Sequence, residues 1–187
     1  MEIFYLHSPT NIGWFYLVMI TAIAVLVMSL RFQQKRKTRS AVWKYATYPG
    51  VGFAIVAMIW GCVFVYQQSH ATVTVSPGDR LTIHAGIGSP DLEWQQMDIA
   101  AARIMNPYEE NGYRPVRRRF GTGMKGFISG WFVLSNGKKA FVTLVGTAPA
   151  ERTVMIPVND KEGGYIILLS MHDETDFMSL IKNKAPE

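Results

Sequence analysis

The stretch GFISGWFVLSNGKKAFVTLVG, residues 126–146, decides the fold. Its two apolar runs flank Asn136-Gly137, the strongest short-range signal of a β-hairpin, because a type I′ turn needs positive φ at both central residues. A two-residue loop also fixes the register of the two strands. The predicted cross-strand pairs are Ser135 with Lys138, Phe132 with Phe141, and Trp131 with Val142. We therefore predict an antiparallel hairpin whose large side chains bury one face.

Further strand-like segments lie on both sides of this hairpin. Alternating or continuous apolar patterns predict strands in ATVTV (71–75), RLTIH (80–84), TVMIPV (153–158) and GGYIILLS (163–170). The sequence SPGD between the first two predicts a turn. EWQQMDIAAARIM, 93–105, fits a helix or a strand, and we take it as a strand. NPYEENGYRPV, 106–116, is rich in proline, glycine and asparagine and is predicted to be a loop.

The C-terminal segment has the pattern of an amphipathic helix. Ser170 is the predicted N-cap, and acidic residues occupy the turns that follow it, where they favour the positive end of the helix dipole. The apolar face consists of Phe177, Leu180 and Ile181. Short strands followed by one such helix predict an antiparallel barrel or sandwich with one end closed by the helix.

Two uncharged apolar segments precede the β-rich part of the chain. The first is residues 12–30, and the second has its apolar centre at 51–66. A helix of about 20 apolar residues spans a bilayer, so we predict a membrane α-helical hairpin with transmembrane helices over about 12–30 and 47–67. No basic residue precedes the first segment, which argues against a cleaved signal peptide.

The excess positive charge lies in the predicted loop 31–44. The net charge is +5, and residues 1–70 hold six basic residues and one acidic residue. Residues 71–187 are balanced, with thirteen of each sign. Loops of this kind stay in the cytoplasm. The sequence therefore predicts a multi-pass protein of the cytoplasmic membrane (cell inner membrane), with residues 71–187 as an extracytoplasmic domain. Because the excess charge is confined to one loop, nucleic acid is not an expected partner.

The segment RRRFGTGMKG, 117–126, contains the spacing G-x-G-x-x-G at Gly121, Gly123 and Gly126. A dinucleotide site needs a strand before these glycines and a helix after them. Here arginines precede them and a predicted strand follows. We therefore expect no nucleotide and no cofactor at this segment. The glycines are better explained as bends and close backbone approaches at the entry to a strand.

No catalytic or metal-binding pattern is evident in the sequence. The four histidines are scattered, and the single cysteine, Cys62, falls in an apolar segment. The remaining candidate for a binding site is basic and consists of Arg114, Arg117, Arg118, Arg119 and Lys125. Such a charge run is either a solvated loop or a contact for anionic lipid headgroups or an acidic partner protein.

Four segments together resemble the bacterial pleckstrin-homology-like domains that are often attached to membrane helices. They are residues 80–100, 121–145 (with the hairpin sequence NGKKA), 153–158 and 165–182. The resemblance covers about residues 71–185 and implies a seven-stranded, strongly bent antiparallel barrel capped by the C-terminal helix. Eukaryotic relatives that hold phosphoinositides use basic residues in the first hairpin loop. Here that loop is SPGDR, with Asp79 beside a single Arg80, so inositol-lipid binding is not expected.

These observations favour a non-catalytic, membrane-anchored interaction domain at the bilayer surface. Its expected partners are membrane lipids and a membrane or envelope protein. Two alternatives stay open: an accessory subunit of a membrane transport or envelope complex, and a membrane-surface hydrolase or transferase. The enzyme alternative requires a pocket that groups His84 or His172 with carboxylates.

Overall fold

The computed structural model describes residues 2–6, 71–76, 80–85, 88–124, 126–145, 152–160 and 163–184, with isolated helical positions between 13 and 66. The chain divides into two compact units. One consists of Met1–Thr10 with Gln67–Glu187, and the other is Asn11–Tyr66.

The predicted membrane α-helical hairpin needs correction. Within the part of the chain that is described, no helix is both long enough and apolar enough to cross a membrane. The prediction of spans over 12–30 and 47–67 used apolar length alone, whereas a span needs one continuous apolar helix of about 20 residues. This finding also contradicts the multi-pass localisation that followed from it. Of the predicted cytoplasmic loop 31–44, all residues except Arg31 lie outside the described residues.

The described residues of the β-rich unit form ten strands, one short 3₁₀ helix and one α-helix. The strands are β1 (Glu2–Tyr5), β2 (Thr72–Ser76), β3 (Arg80–His84), β4 (Asp91–Glu93), β5 (Arg103–Met105), β6 (Pro115–Met124), β7 (Phe127–Leu134), β8 (Lys139–Val145), β9 (Thr153–Val158) and β10 (Tyr165–Leu169). A short 3₁₀ helix lies at Trp94–Gln96, and helix α1 is Glu174–Lys184. The strands form a four-stranded sheet, in the order β1-β2-β3-β4, and a six-stranded sheet, in the order β5-β9-β10-β8-β7-β6.

This topology differs from the predicted seven-stranded antiparallel barrel. The described strands form two sheets, and one pair of neighbours is parallel: β10 lies beside β8, with Ile166 opposite Ala140. β10 also pairs antiparallel with β9, so it lies inside the sheet with a neighbour on each side. Four of its five residues are buried, as expected of an interior strand covered on both faces. The continuous apolar run of β10 fits an interior strand, but it does not specify which strands lie beside it.

The main core lies between the two sheets. Phe141 and Ile167 of the larger sheet join Val73 and Leu81 of the smaller sheet in one buried cluster. A second cluster on the larger sheet includes Phe132, Val142 and Leu168. The larger sheet therefore buries side chains in two clusters rather than on one face.

The C-terminal helix has the predicted apolar face but a later start. Phe177 and Ile181 are fully buried in the main core, and Leu180 packs against it. Ser170 is not the N-cap, because its N–H donates to the Thr143 carbonyl of the sheet, 2.8 Å away. The predicted cap is thus part of the strand region, and the helix begins four residues later, at Glu174.

The central hairpin, β7–β8, is confirmed, but its predicted turn and register are wrong. The Leu134 N–H donates to Lys138 O and the Gly137 N–H donates to Leu134 O, both at 2.9 Å, which defines a three-residue loop. Gly137 has φ 82°, as in a loop where a left-handed residue follows a type I turn. The Asn136 side chain accepts a bond from the Lys138 N–H and stabilises this loop. Every pair moves by one residue, so Phe141 faces Trp131 and Ala140 faces Phe132.

The N-terminal residues belong to the β-rich unit. β1 pairs antiparallel with β2, and Leu6 lies in the main core at 4% exposure. Phe4 contacts Phe177 of the helix edge to face, with ring centroids 5.1 Å apart. The sequence assigned residues 1–70 to a separate unit, and the structure adds Glu2–Leu6 to the unit formed by residues after 70.

The segment predicted as a single strand over 93–105 is mostly irregular. It contains the 3₁₀ helix at Trp94–Gln96, turns, and the three-residue strand β5. The Gln96 side chain accepts a bond from the Glu93 N–H at 3.0 Å, and this cap favours a helical turn over an extended chain.

Candidate functional site

The basic segment forms the outer strand of the larger sheet. The sequence predicted a loop for RPVRRRF, but Pro115–Met124 is strand β6, which pairs with β7 at one end of the sheet order. Arg117, Arg118 and Arg119 lie within this strand, and Arg114 directly precedes it. We call these four arginines the basic edge. Lys125, the fifth residue of the predicted site, lies outside the described residues.

Two irregularities in β6 explain why its pattern resembles a loop. Arg117 lies opposite Val133, Arg118 opposite Phe132 and Phe120 opposite Trp131. Val116 and Arg119 are therefore extra residues without a partner in the register. Such β-bulges bend a strand, disturb its hydrogen-bond ladder and redirect side chains. They also interrupt the two-residue alternation from which a strand is predicted.

The basic edge is exposed, and its arginines differ from the other arginines of the described β-rich unit in their partners. The other arginines of the described β-rich unit each bind a carboxylate: Arg80 binds Asp91 and Glu93, Arg103 binds Glu110, and Arg152 binds Glu174. Among the described residues, none of the four arginines of the basic edge makes an ion pair. Burial raises the pKa of the Tyr108 phenol, and the charge of Arg114 offsets part of that rise. The positive charge of Arg114 therefore acts on the neighbouring Tyr108 side chain.

The first glycine of the G-x-G-x-x-G spacing, Gly121, lies where β6 and β7 approach each other unusually closely. Gly121 lies opposite Gly130, with φ 124° and 123°. A β-carbon at either glycine would lie only 2.7 Å from the Cα atom of the other. Gly126, with φ 82°, lies in the turn that leads into strand β7 rather than into a helix. The interpretation as a close approach fits Gly121 and the interpretation as a bend fits Gly126, whereas a β-carbon on Gly123 would lie 3.6 Å from its nearest neighbour, an ordinary contact.

An aromatic cluster supports β6 from the neighbouring strands. The Trp131 indole donates a hydrogen bond to the Gly88 carbonyl at 2.9 Å, and its ring contacts Tyr165 edge to face at 5.0 Å. The Lys139 ammonium lies over the Trp131 ring, 4.5 Å from its centroid. A β-carbon on Gly88 would lie 3.4 Å from the Phe120 ring, so the Gly88 loop also borders Phe120. The sequence indicated aromatic residues here, but only the register shows which ones meet.

The described residues do not assemble an evident catalytic centre. They contain no group of three or more histidine, cysteine or acidic residues able to hold a metal ion. Burial and, secondarily, the negative charge of Asp160 raise the pKa of the Tyr165 phenol to about 12. Tyr165 is therefore protonated at neutral pH and poorly suited to act as a general base. His84 and His172 are both exposed, and the enzyme alternative stays a prediction.

No protein-family model matches the chain, and no curated protein or solved structure matches it either. The resemblance to pleckstrin-homology-like domains therefore stays a prediction.

Proposed function

We propose that this chain is a non-catalytic binding module that docks against a negatively charged surface through its basic edge. One observation carries the proposal. Four exposed arginines lie together without an ion pair among the described residues, although the other arginines of the same unit are each paired. Adjacent like charges repel and destabilise a folded domain unless counter-charge is supplied. An anionic partner supplies that counter-charge on binding.

Protection of a sheet edge is the structural explanation that competes with this proposal. Charged residues and bulges on an edge strand prevent unwanted pairing with other chains. Lysine is the residue used most for that purpose, whereas all four cations here are arginines. The planar guanidinium group binds phosphate and carboxylate through two parallel hydrogen bonds, which suits recognition better than simple repulsion. The residue type therefore favours binding.

Neutralising part of the basic edge tests the proposal. The variant replaces Arg117, Arg118 and Arg119 with serine in the full-length chain. A matched control removes the same charge near helix α1, through Arg152→Gln, Lys182→Gln and Lys184→Gln. Each basic residue at an anionic surface contributes about 1 kcal/mol, so the arginine variant should lose about 3 kcal/mol, on the order of 100-fold in affinity.

Binding is measured to polyglutamate-coated beads and to vesicles that contain phosphatidylglycerol, at low and moderate salt. We expect salt to weaken the parent's binding, because exposed charges are screened. We also expect the control variant to bind nearly as well as the parent. Equal losses in the two variants would show that net charge, rather than the basic edge, governs the contact, and absence of binding to both supports would overturn the proposal.

Membrane lipids and a membrane or envelope protein are the partners proposed for the basic edge. A basic docking surface is compatible with membrane lipids or with an acidic face of a membrane or envelope protein, including the case of an accessory subunit in a transport complex. Each of these partners requires the charge complementarity that the arginine variant removes.

A further inference from the structure

The outer edge of β6 is poorly suited to pair with a second strand. Peptide recognition by strand addition uses a regular row of backbone N–H and C=O groups. In β6 that row is interrupted twice within six residues, at Val116 and at Arg119. Bulges of this kind disrupt the ladder and twist the edge away from a straight partner. The basic edge therefore contacts its partner through side chains rather than through its backbone.

Two apolar side chains are exposed among the arginines. Val116 is 60% exposed and Phe120 is 51% exposed, although both lie in a strand whose sheet has an extensive buried core. The Phe120 ring borders the Gly88 loop and lies opposite Trp131, so one side of the ring is supported. About half of the residue, 51%, is nevertheless exposed to solvent. An exposed aromatic ring held beside several arginines combines apolar and cationic contact in one place.

The lipid–water interface offers the matching combination. Its phosphates bind cations, and the acyl boundary just below accepts an apolar side chain. An extended segment of six residues, Pro115–Phe120, covers roughly 20 Å, enough to contact several headgroups side by side. A short acidic peptide would satisfy the arginines but would leave Phe120 and Val116 in water.

We propose that the anionic surface is a lipid bilayer, and that Phe120 enters the interface while Arg117, Arg118 and Arg119 bind lipid phosphates. This inference rests on the proposed function and names the partner of the same site. It predicts two separable contributions. The arginine contribution falls with salt, whereas the Phe120 contribution follows the apolar area removed from water and resists salt.

A reporter on the Phe120 side chain tests for insertion. The full-length chain carries two substitutions: Cys62→Ser removes the native cysteine, and Phe120→Cys introduces a single new one. An environment-sensitive fluorophore is attached to the new cysteine. The control places the same label at Ser179→Cys, an exposed position on helix α1. This helix contacts β5 and β9, which lie at the end of the larger sheet opposite to β6. With vesicles that contain phosphatidylglycerol, we expect a blue shift and higher emission at position 120. We expect neither change at position 179, nor at position 120 with pure phosphatidylcholine.

An unlabelled variant measures the apolar contribution. Phe120→Ser removes a half-exposed ring. If the exposed half of the ring is buried in the lipid, its loss should weaken vesicle affinity roughly fivefold. The loss should persist at moderate salt and should be absent on polyglutamate-coated beads. Unchanged emission at position 120, or an equal loss on vesicles and beads, would overturn the lipid assignment. Retained binding to the beads through the arginines would in that case leave the proposed function intact and identify an acidic protein as the partner.

Discussion

Replacing Gly130 with alanine should destabilise the domain far more than a typical glycine-to-alanine change. Gly130 lies opposite Gly121 in the β6–β7 pair. Its φ of 123° is outside the range that L-residues adopt readily. A β-carbon there would lie 2.7 Å from the Gly121 Cα atom and closer still to the Phe120 carbonyl oxygen. The strands must therefore separate, the backbone must change, or both.

The expected cost has two parts. Ordinary contact begins at 3.4 Å, so the contact at 2.7 Å alone requires the backbones to separate by at least about 0.7 Å. That shift weakens the neighbouring hydrogen bonds between β6 and β7. The loss of two such bonds, at about 1 kcal/mol each, lowers the free energy of unfolding by about 2 kcal/mol. The unfavourable φ adds about 2 kcal/mol. The sum, about 4 kcal/mol, is a large part of the 5–15 kcal/mol that is typical of a folded protein.

Two other glycines provide matched controls for this measurement. Gly137 also has positive φ, but a β-carbon there meets no atom within 4 Å, so Gly137→Ala isolates the backbone strain at about 1 kcal/mol. Gly123 has no such φ, and its nearest neighbour would be a side-chain atom 3.6 Å away, so Gly123→Ala should be almost neutral. The reduced freedom of the unfolded chain is common to all three variants.

The assay is urea denaturation of the full-length chain, followed by circular dichroism and by tryptophan fluorescence. We expect the midpoint to fall in the order Gly123→Ala, Gly137→Ala, Gly130→Ala, with a thermal midpoint for Gly130→Ala about 10 °C below that of the parent. A Gly130→Ala protein no less stable than Gly137→Ala would refute the reasoning, because it would mean that the two strands separate without cost.

Two further predictions concern the main core and its border. Leu6→Ala should lower the free energy of unfolding by about 3 kcal/mol, because Leu6 is only 4% exposed. Tyr5→Ala is the control and should have little effect, because Tyr5 is 61% exposed. Equal effects of the two variants in urea denaturation would contradict the assignment of the N-terminal strand to the β-rich unit. The pKa of Tyr165 is raised to about 12 from an ordinary value of 10.0, so its stabilising contribution is complete below pH 10 and is lost as the pH rises towards 12. Between pH 10 and 12, the free energy of unfolding of Tyr165→Phe should therefore fall less than that of the parent. Tyr5→Phe is the control. Identical dependence of stability on pH in the parent and in Tyr165→Phe would contradict the raised pKa.

Local signals in the sequence predicted the elements whose hydrogen bonds are local. The apolar runs around Asn136-Gly137 gave the β7–β8 hairpin, because its two strands are joined by a few residues. The same signals did not distinguish a two-residue from a three-residue loop, since Gly137 fits a left-handed position in both. That ambiguity moved every cross-strand pair by one residue.

Long-range pairing was beyond the sequence pattern. β10 lies between β8 and β9, and its parallel pairing with β8 connects residues more than twenty positions apart. An apolar run such as that in Tyr165–Leu169 fits an interior strand, but it does not specify its neighbours. The membrane prediction rested on apolar composition over 12–30 and 47–67, and among the residues that the structure describes no helix is long and apolar enough to span a membrane.

The glycine spacing and the basic edge are parts of one structural arrangement. Because Gly121 and Gly130 lack side chains, β6 approaches β7 closely just after Phe120, whose carbonyl oxygen is the atom nearest to the missing β-carbon of Gly130. The close approach of the two strands holds the backbone of Phe120 opposite Trp131. The two bulges lie just before Phe120, at Val116 and Arg119, in the same exposed strand as the arginines. The first glycine of a spacing that resembles a phosphate-binding loop therefore lies beside an aromatic residue and next to four arginines that make no ion pair among the described residues. Any anion bound there meets arginine side chains rather than the N-terminus of a helix.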